Sequence, residues 1–224
     1  MTAEPVRATE PRVPLSRERV LRTAVAIADE HGIAAVTMRR VADELGAEAM
    51  SLYHHVANKD ALLDGAVDLV VAEINDAVDA LEPGPDWKAA VRARILTARA
   101  VLLHHRWASR VLETRTAVSP EVVRYHDRLV GLLHAGGFSY DLVHHALHAL
   151  GSRALGFSQE LFDPGAGASA APLPAALAAD IPSLVAMLAE VGHDDPGSTL
   201  GWCDDQTEFE FGLDLLLDGL GRKL

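Results

Sequence analysis

A short stretch of the chain carries side chains that are chemically suited to nucleic acid. In residues 49–56, Ala49, Leu52 and Val56 share one face of a predicted short helix, which leaves the remaining positions on its open side. Those outward positions are Met50, Ser51, Tyr53, His54 and His55. Hydroxyls and imidazoles bind phosphate oxygens and base edges, and a methionine can contact a thymine methyl. The segment therefore favours the groove of double-stranded DNA as its partner.

Two neighbouring helices are predicted to hold this segment in place. Thr37 is a good N-cap, and the apolar residues after it recur at the i, i+3, i+4, i+7 spacing of a one-sided helix that ends at Gly46. Residues 16–31 predict a supporting helix with one apolar stripe and with Gly32 as its C-cap. Asn58 can cap the following helix, which places Lys59 in that helix's first turn. Together these helices predict a helix-turn-helix module.

The ordered series of motifs resembles the tetracycline-repressor (TetR) family over residues 16–75. The matching segments are 24–32 (AVAIADEHG), 37–42 (TMRRVA), Leu45-Gly46, 52–56 (LYHHV) and 58–63 (NKDALL). The resemblance implies that Thr37, Arg39, Met50, Ser51, Tyr53, His55 and Lys59 lie at the duplex, with Tyr53, His55 and Lys59 on phosphates. His54 joins the candidate DNA-binding residues from its outward position. The resemblance also implies a transcriptional repressor that a small-molecule effector releases from its operator.

Composition and charge limit the alternatives. The 224-residue chain has one cysteine, Cys203, and no apolar run of about 18 residues, so we expect a soluble, intracellular protein without a disulfide or a membrane segment. The formal net charge is −12. Residues 1–64, which include the helix-turn-helix and are called the reader, hold eight Lys or Arg and ten Asp or Glu. The reader therefore carries a net charge of −2 and the rest of the chain −10. DNA binding must then depend on locally placed cations and on two copies of the chain.

The rest of the chain predicts further helices and no strands, so the expected fold class is all-α. We expect helices over residues 58–81, 87–104, 106–114, 120–135, 139–161 and 205–220, and another starting near residue 175 or 182 and ending at 191. Residues 163–180, rich in Ala, Gly and Pro, predict a loop or linker. The predicted organisation is a disordered arm (1–15), a TetR-type helix-turn-helix DNA-binding domain (16–76) and a ligand-binding and dimerisation domain (77–224).

Residues beyond the helix-turn-helix also resemble the regulatory domain of the tetracycline repressors, where two late helices of each protomer form the dimer interface. Here these would be 139–161 and 205–220. Small residues would allow close approach and large apolar residues would supply the contact area: Ala146, Ala149, Ala154 and Gly156; Phe209, Leu213, Leu216, Leu217 and Leu220. The alternative is that the same residues fill the core of a monomer.

An effector pocket is expected between residues 75 and 161. The candidate effector-binding residues are Arg94, His105, Trp107, Leu112, Arg115, Tyr125, His126 and His148. The positions that grip tetracycline and its magnesium in the family correspond here to Asn75, Arg94, Ala98 and Leu112, which makes tetracycline an unlikely ligand. An arginine in the pocket would suit an anionic or carbonyl-bearing organic molecule, although a salt bridge to Glu113 or Glu121 is the simpler role.

Metal and cofactor chemistry has little support in the sequence. His144, His145 and His148 have helical spacing that can hold a transition ion, but a tight site needs three or four ligands, so we predict no metal and no cofactor. A helical-bundle enzyme would need paired Glu-x-x-His motifs or a Gly-rich phosphate loop, and the sequence has neither. A protein that sequesters a small molecule without binding an operator remains the alternative, favoured by the slightly acidic reader.

Overall fold

The computed structural model describes residues 14–82, 84, 86–115, 119–156, 180–183, 185–186 and 205–224. Within these residues the chain is helical and no strand occurs, as predicted. The helices are α1 (Arg17–His31), α2 (Met38–Glu44), α3 (Ala49–Leu52), α4 (Lys59–Asp79), α5 (Trp87–His104), α6 (Arg106–Thr114), α7 (Pro120–Ala135), α8 (Tyr140–Leu150) and α9 (Asp205–Gly221). Short 3₁₀ helices span Ile33–Ala35 and Gly151–Leu155. None of the described helices is both long and apolar enough to cross a membrane.

The predicted helix starts are confirmed by their caps. The Oγ1 of Thr37 accepts a hydrogen bond from the Arg40 amide at 3.1 Å, and the Oδ1 of Asn58 accepts one from the Ala61 amide at 2.8 Å. Asp86 caps α5 in the same way, through the Ala89 amide at 2.8 Å. These side chains satisfy donors that the first turn of a helix leaves unpaired. They fix where α2, α4 and α5 begin.

Two predicted helices are shorter than the sequence indicated. The helix expected over residues 49–56 ends at Leu52 and continues as a turn through Tyr53–His55. The helix expected to reach residue 161 ends at Leu150, because Gly151 takes a φ of +50°. A positive φ stops α-helical hydrogen bonding and is accessible mainly to glycine. The five-residue 3₁₀ helix follows directly.

The described residues form two compact units. The first comprises those of Met1–Ala80 and Ala100–Arg128, and it holds α1 to α4 and α6. In this unit α1 packs against α4, with Val20, Leu21 and Ala24 of α1 buried. Gly65 of α4 lies beneath α1, since a Cβ built on it would approach Leu21 Cδ2 to 2.6 Å. The helix expected to support the reader therefore rests directly on α4.

The second unit comprises the described residues of Leu81–Arg99 and Leu129–Leu224. The rings of Trp87 and Phe138 meet edge to face with centroids 4.7 Å apart. Arg92 of α5 donates to Asp214 at 2.8 Å and to Glu210 at 2.6 Å on α9. The hydrogen bonds that Arg92 donates to these two carboxylates, Asp214 foremost, raise the pKa of Arg92 further above its ordinary value. These contacts fasten α9 to α5.

The inner face of α9 corrects one expectation. Phe209, Leu213, Leu217 and Leu220 are all buried within the single chain, between 0 % and 8 % exposed, so they fill the monomer core and cannot supply dimer contact area. Ala146, Ala154 and Gly156 are buried as well, whereas Ala149 is exposed and Leu216 is half-buried. The monomer-core alternative is therefore the right one for most of these residues. The outward face of α9 carries other apolar residues, Phe211 and Leu215.

Several expectations concern residues outside the described ranges. They are the disordered arm, of which residues 1–13 lie outside, the loop at 163–180, most of the helix ending at 191, and Cys203. Asp180, at the end of that predicted loop, is described and helical.

Candidate nucleic-acid interface and regulatory site

The buried side of the helix-turn-helix holds its two helices together. Val41 and Ala42 of α2 and Leu52 of α3 are at most 1 % exposed, and Val56, after the turn, is 3 % exposed. Gly46 lies between the helices with a φ of +60°, which allows the sharp change of direction. The apolar periodicity thus fixes which side of this segment faces inward.

The opposite side presents the predicted contact residues to solvent. Met50 is 72 % exposed and Tyr53 is 46 % exposed, which is high for such large apolar or aromatic side chains. His54 is also exposed, and His55 is half-buried. Ser51 is half-buried, and its hydroxyl donates to the carbonyl of Glu48 at 2.6 Å, which leaves the hydroxyl oxygen as an acceptor only. The surface therefore offers a hydrophobic tip, a phenol and two imidazoles side by side.

Cations lie at both ends of this surface. Arg39 is on α2, with its side chain 90 % exposed and a loose ion pair to Asp43 at 4.0 Å. Lys59 is the first residue of α4, directly after the Asn58 cap, and it is exposed. Thr37 is exposed too, although its hydroxyl oxygen is occupied by capping α2. All eight predicted DNA-contact positions therefore lie on or at the edge of accessible surface.

The predicted effector residues are divided between the two compact units. His105, Trp107, Leu112, Arg115, Tyr125 and His126 belong to the first unit, whereas Arg94 and His148 belong to the second. His105 and Trp107 are brought together because Asp29 of α1 accepts from both, at 2.8 Å from His105 Nδ1 and 2.7 Å from Trp107 Nε1. The other ring nitrogen of His105 lies 3.2 Å from Glu73 Oε2. No sequence pattern indicated this contact, because Asp29 lies more than seventy residues before its partners.

The remaining candidates of the first unit have separate partners. Arg115 donates to Asp64 at 2.9 Å, and its Nη1 lies 3.8 Å from Asp60. The ring of Tyr125 is fully buried. His126 is half-buried and its Nδ1 lies 2.8 Å from the Val122 carbonyl oxygen, while Leu112 is half-buried on α6.

A further polar side chain, an amide, is buried in the first unit. Asn75 of α4 is 2 % exposed, and its Nδ2 donates to both the backbone carbonyl and the side chain of Glu121, at 3.1 Å and 3.0 Å. Its Oδ1 is buried without a hydrogen-bond partner among the described residues, and the same holds for Arg115 Nε. A buried acceptor and a buried donor without partners are costly unless a further group satisfies them.

In the second unit, Arg94 is buried and His148 is exposed on α8. The rings of His144 and His148 meet edge to face at 4.6 Å, and His145 Nε2 lies 3.8 Å from Asp141. The helical spacing predicted this proximity.

Two family models match the chain. One, described as bacterial regulatory proteins of the tetR family, covers residues 20–66, and the other, the tetracyclin repressor-like C-terminal domain, covers residues 81–224. The chain matches only about half the length of some curated relatives. An HTH-type transcriptional regulator of Saccharopolyspora erythraea is 36 % identical over 124 residues, which are 55 % of this chain and 51 % of the relative.

Solved structures match over nearly the whole chain. A possible TetR family transcriptional regulator from Streptomyces coelicolor A3(2) has a TM-score of 0.75 and 32 % identity over 93 % of this chain and 100 % of its own. The Streptomyces coelicolor TetR family protein ActR, in complex with actinorhodin, has a TM-score of 0.68 and 30 % identity over 92 % and 95 %. The family models account for both ends of the chain, and the helix-turn-helix has the same order of elements as the sequence predicted. The chain therefore belongs to the TetR family of bacterial regulatory proteins.

Proposed function

We propose that this protein is a transcriptional repressor that binds double-stranded operator DNA as a homodimer and releases it when a small organic effector binds. One observation carries the proposal. Met50 and Tyr53 are exposed while Leu52, between them in the sequence, is buried, and Lys59 follows at the start of the long helix α4. An exposed tyrosine and an exposed methionine that lie on a short helix and its turn are suited to contacts in the major groove of DNA. The activity is binding rather than catalysis, and its place is the cytoplasm, where the chromosome lies.

The roles of the reader residues follow from their groups. Tyr53, His55 and Lys59 bind phosphates, which sets the register on the duplex, while Met50 and Ser51 meet base edges. Thr37, Arg39 and His54 complete the set, with Arg39 and His54 at neighbouring phosphates and Thr37 holding the start of α2. Each chain reads one half-site, so two readers about 34 Å apart are needed for a full operator.

The dimer surface is proposed on the outward faces of α8 and α9. Phe211 is 62 % exposed and Leu215 is 55 % exposed, and they lie one helical turn apart on the same side of α9. Tyr140, at the start of α8, is 65 % exposed. Large apolar side chains that share one helix face and remain in solvent are typical of an interface with another chain.

The effector site is proposed along α4, from Asp64, which pairs with Arg115, to Asn75. Asn75 Oδ1 would accept a hydrogen bond from the effector and Arg115 Nε would donate one, with Tyr125 and His126 as neighbouring contacts. His105 and Trp107 are engaged by Asp29, so they act as supports. Leu112 of the first unit, and Arg94 and His148 of the second unit, remain predicted effector-binding residues. ActR with actinorhodin is a precedent within the family for an organic effector.

We propose that helix α4 couples effector binding to DNA binding, because it extends from the helix-turn-helix to the proposed effector site. Lys59 and Asn75 lie on the same α4, sixteen residues or about 24 Å apart. An effector that favours one orientation of α4 therefore moves the start of this helix together with the reader packed on it. Because the half-sites have fixed spacing, a shift of a few ångströms removes phosphate contacts in both.

Fluorescence anisotropy with the DNA upstream of the protein's own gene tests the DNA-binding part. Tyr53→Ala should abolish specific binding. Lys59→Ala, which removes one phosphate contact from each of two chains, should reduce the slope of log affinity against log salt by about 1.8. Lys223→Ala removes an equally exposed lysine of the second unit and should leave that slope unchanged.

A failure to bind DNA would favour the alternative function, the sequestration of a small molecule. If no DNA binds at any salt concentration while native mass spectrometry shows an organic molecule retained by the protein, the chain is a sequestering protein of the same fold. Asn75→Leu should release that molecule if the proposed contact is correct.

A further inference from the structure

We infer that the first unit contains a binding site for a divalent transition-metal ion, formed by Asp29, His104 and His105. One ligand atom from each of these residues lies within 4.8 Å of the others. Asp29 is near the end of α1, His104 is the last residue of α5, and His105 is the N-cap of α6. The fold therefore brings the carboxylate of Asp29 to two consecutive imidazoles that lie more than seventy residues further along the chain.

The donor set selects the class of ion. Imidazole nitrogen with carboxylate oxygen suits zinc, nickel and cobalt, whereas magnesium and calcium prefer oxygen alone. Zinc bonds of about 2.0–2.1 Å in a tetrahedral site place ligand atoms about 3.3 Å apart. A pair at the 4.8 Å limit must close by about 1.5 Å, and the 2.8 Å pair of His105 Nδ1 and Asp29 Oδ1 must open by about 0.5 Å. His104 and Asp29 are both exposed, so their side chains can rotate by that amount.

His105 is already held in the orientation that a ligand needs. The ring is 4 % exposed, its Nδ1 faces Asp29 Oδ1 at 2.8 Å, and its Nε2 faces Glu73 Oε2 at 3.2 Å. With the ion between Nδ1 and Asp29, any proton on Nδ1 is released to water, and the neutral ring carries its hydrogen on Nε2, where Glu73 accepts it. A carboxylate that receives the second N–H of a ligating histidine fixes the ring and increases its basicity.

The surroundings of the site give the ion access from solvent and place carboxylates near it. Asp29 and Glu73 also line an open groove of about 450 Å³ beside α1 and α4, whose wall carries Asp76. Trp107 Nε1 donates to Asp29 Oδ1 at 2.7 Å and so fixes that carboxylate. Three carboxylates line this groove with one arginine, Arg22, which pairs with Glu18, so the groove keeps a net negative charge that attracts a cation. A water would complete the four-coordinate site.

This site differs from the histidines that the sequence singled out. His144 and His148 supply two imidazoles on α8 of the second unit, and Asp141 lies near His145 at 3.8 Å. No group of three candidate ligands forms there among the described residues, whereas the Asp29 cluster meets that condition. The site is also independent of the proposed function, because metal binding is measured without DNA.

The test is a titration of the full-length, tag-free protein with Zn²⁺ by isothermal calorimetry, and with Co²⁺ by visible absorption. We expect one ion per chain, with a Co²⁺ spectrum of a four-coordinate N/O site. His104→Ala and Asp29→Asn should each weaken the affinity at least about tenfold, and Glu73→Gln by a similar or smaller factor. His144→Ala, an exposed histidine of the second unit, is the matched control and should bind as the wild type does.

A second readout guards against misfolding. His104 is exposed, so its variant should keep the melting temperature of the metal-free protein, while the rise in melting temperature that saturating Zn²⁺ gives the wild type should disappear. Three results would overturn the site: no saturable binding by the wild type, unchanged binding by both His104→Ala and Asp29→Asn, or loss of binding on His144→Ala alone. In the last case the ion belongs to α8.

Discussion

The outward face of α9 allows the strength of dimerisation to be predicted. Phe211 and Leu215 are 62 % and 55 % exposed in the single chain. Their exposed surface together equals that of about one fully exposed apolar side chain per protomer, or about two per dimer. Burying a Phe or Leu side chain fully is worth about 1.5–3 kcal/mol. Replacing both residues by alanine should therefore weaken the dimer by about 3–6 kcal/mol, or roughly 10²- to 10⁴-fold in the dissociation constant.

Sedimentation equilibrium measures this change directly, and operator binding measures its consequence. A control that removes a comparable exposed apolar area from the first unit is Leu103→Ala with Val123→Ala, where the side chains are 45 % and 52 % exposed. The control should stay dimeric. If Phe211→Ala with Leu215→Ala leaves the dissociation constant within about twofold of the wild type, the α9 face is not the interface and the surface argument is wrong.

Two further predictions concern the second unit. Gly156 has a φ of +84°, and a Cβ there would lie 2.4 Å from the backbone nitrogen of Arg99, so Gly156→Ala should destabilise the protein by about 2–5 kcal/mol and lower Tm by about 5–15 °C. Gly131→Ala, in α7 with nothing near the added methyl, should instead gain up to about 1 kcal/mol in the same thermal melt, and equal losses in both variants would contradict this account. Hydrogen bonds from Gln206, and secondarily from Arg92, lower the pKa of Glu210 in the folded protein. The contribution of Glu210 to the free energy of unfolding is therefore complete above the ordinary carboxyl pKa, and it is lost as the pH falls through the lowered pKa. Since Glu210 is about one-third exposed, Glu210→Gln should cost only about 0.5 kcal/mol at neutral pH and progressively less as the pH falls below the ordinary carboxyl pKa. A loss that does not change with pH in denaturant titrations would refute the linkage.

Local signals predicted the helices well because they act within a few residues. Thr37, Asn58 and Asp86 each satisfy an amide three residues ahead, so a cap is readable from the sequence alone. The predicted bounds of α5 and α6 match the structure at both ends. The stop after Leu150 was missed because one glycine in a run of helix-forming residues is a weak signal until its φ is known.

The faces of α9 could not be assigned from periodicity. Phe209 and Leu213 are buried, while Phe211 and Leu215 are exposed, and both pairs have the same i, i+4 spacing. A helix that is apolar on two sides satisfies a core and a partner at once, and only the packing of the rest of the unit decides which side is which.

The contact between α1 and the α5–α6 junction lay outside sequence reasoning for a different reason. Asp29 meets His105 and Trp107 across more than seventy residues, and no spacing rule connects residues at that distance. His105 and Trp107 were predicted as effector contacts because a histidine and a tryptophan suit a pocket. The structure adds that both side chains contact Asp29 of the supporting helix α1.

The charge of the reader connects the dimer surface to DNA binding. With a net charge of −2 over residues 1–64, a single reader gains little from the general attraction between cations and phosphates that supports most DNA-binding proteins. In the proposed function its affinity comes from a few placed groups such as Tyr53 and Lys59, and one half-site of such contacts is weak. Pairing two readers makes the second half-site contact intramolecular, which multiplies affinity without adding any new group. Operator binding should consequently be more sensitive to the loss of Phe211 and Leu215, which touch no DNA, than to the loss of a single reader cation.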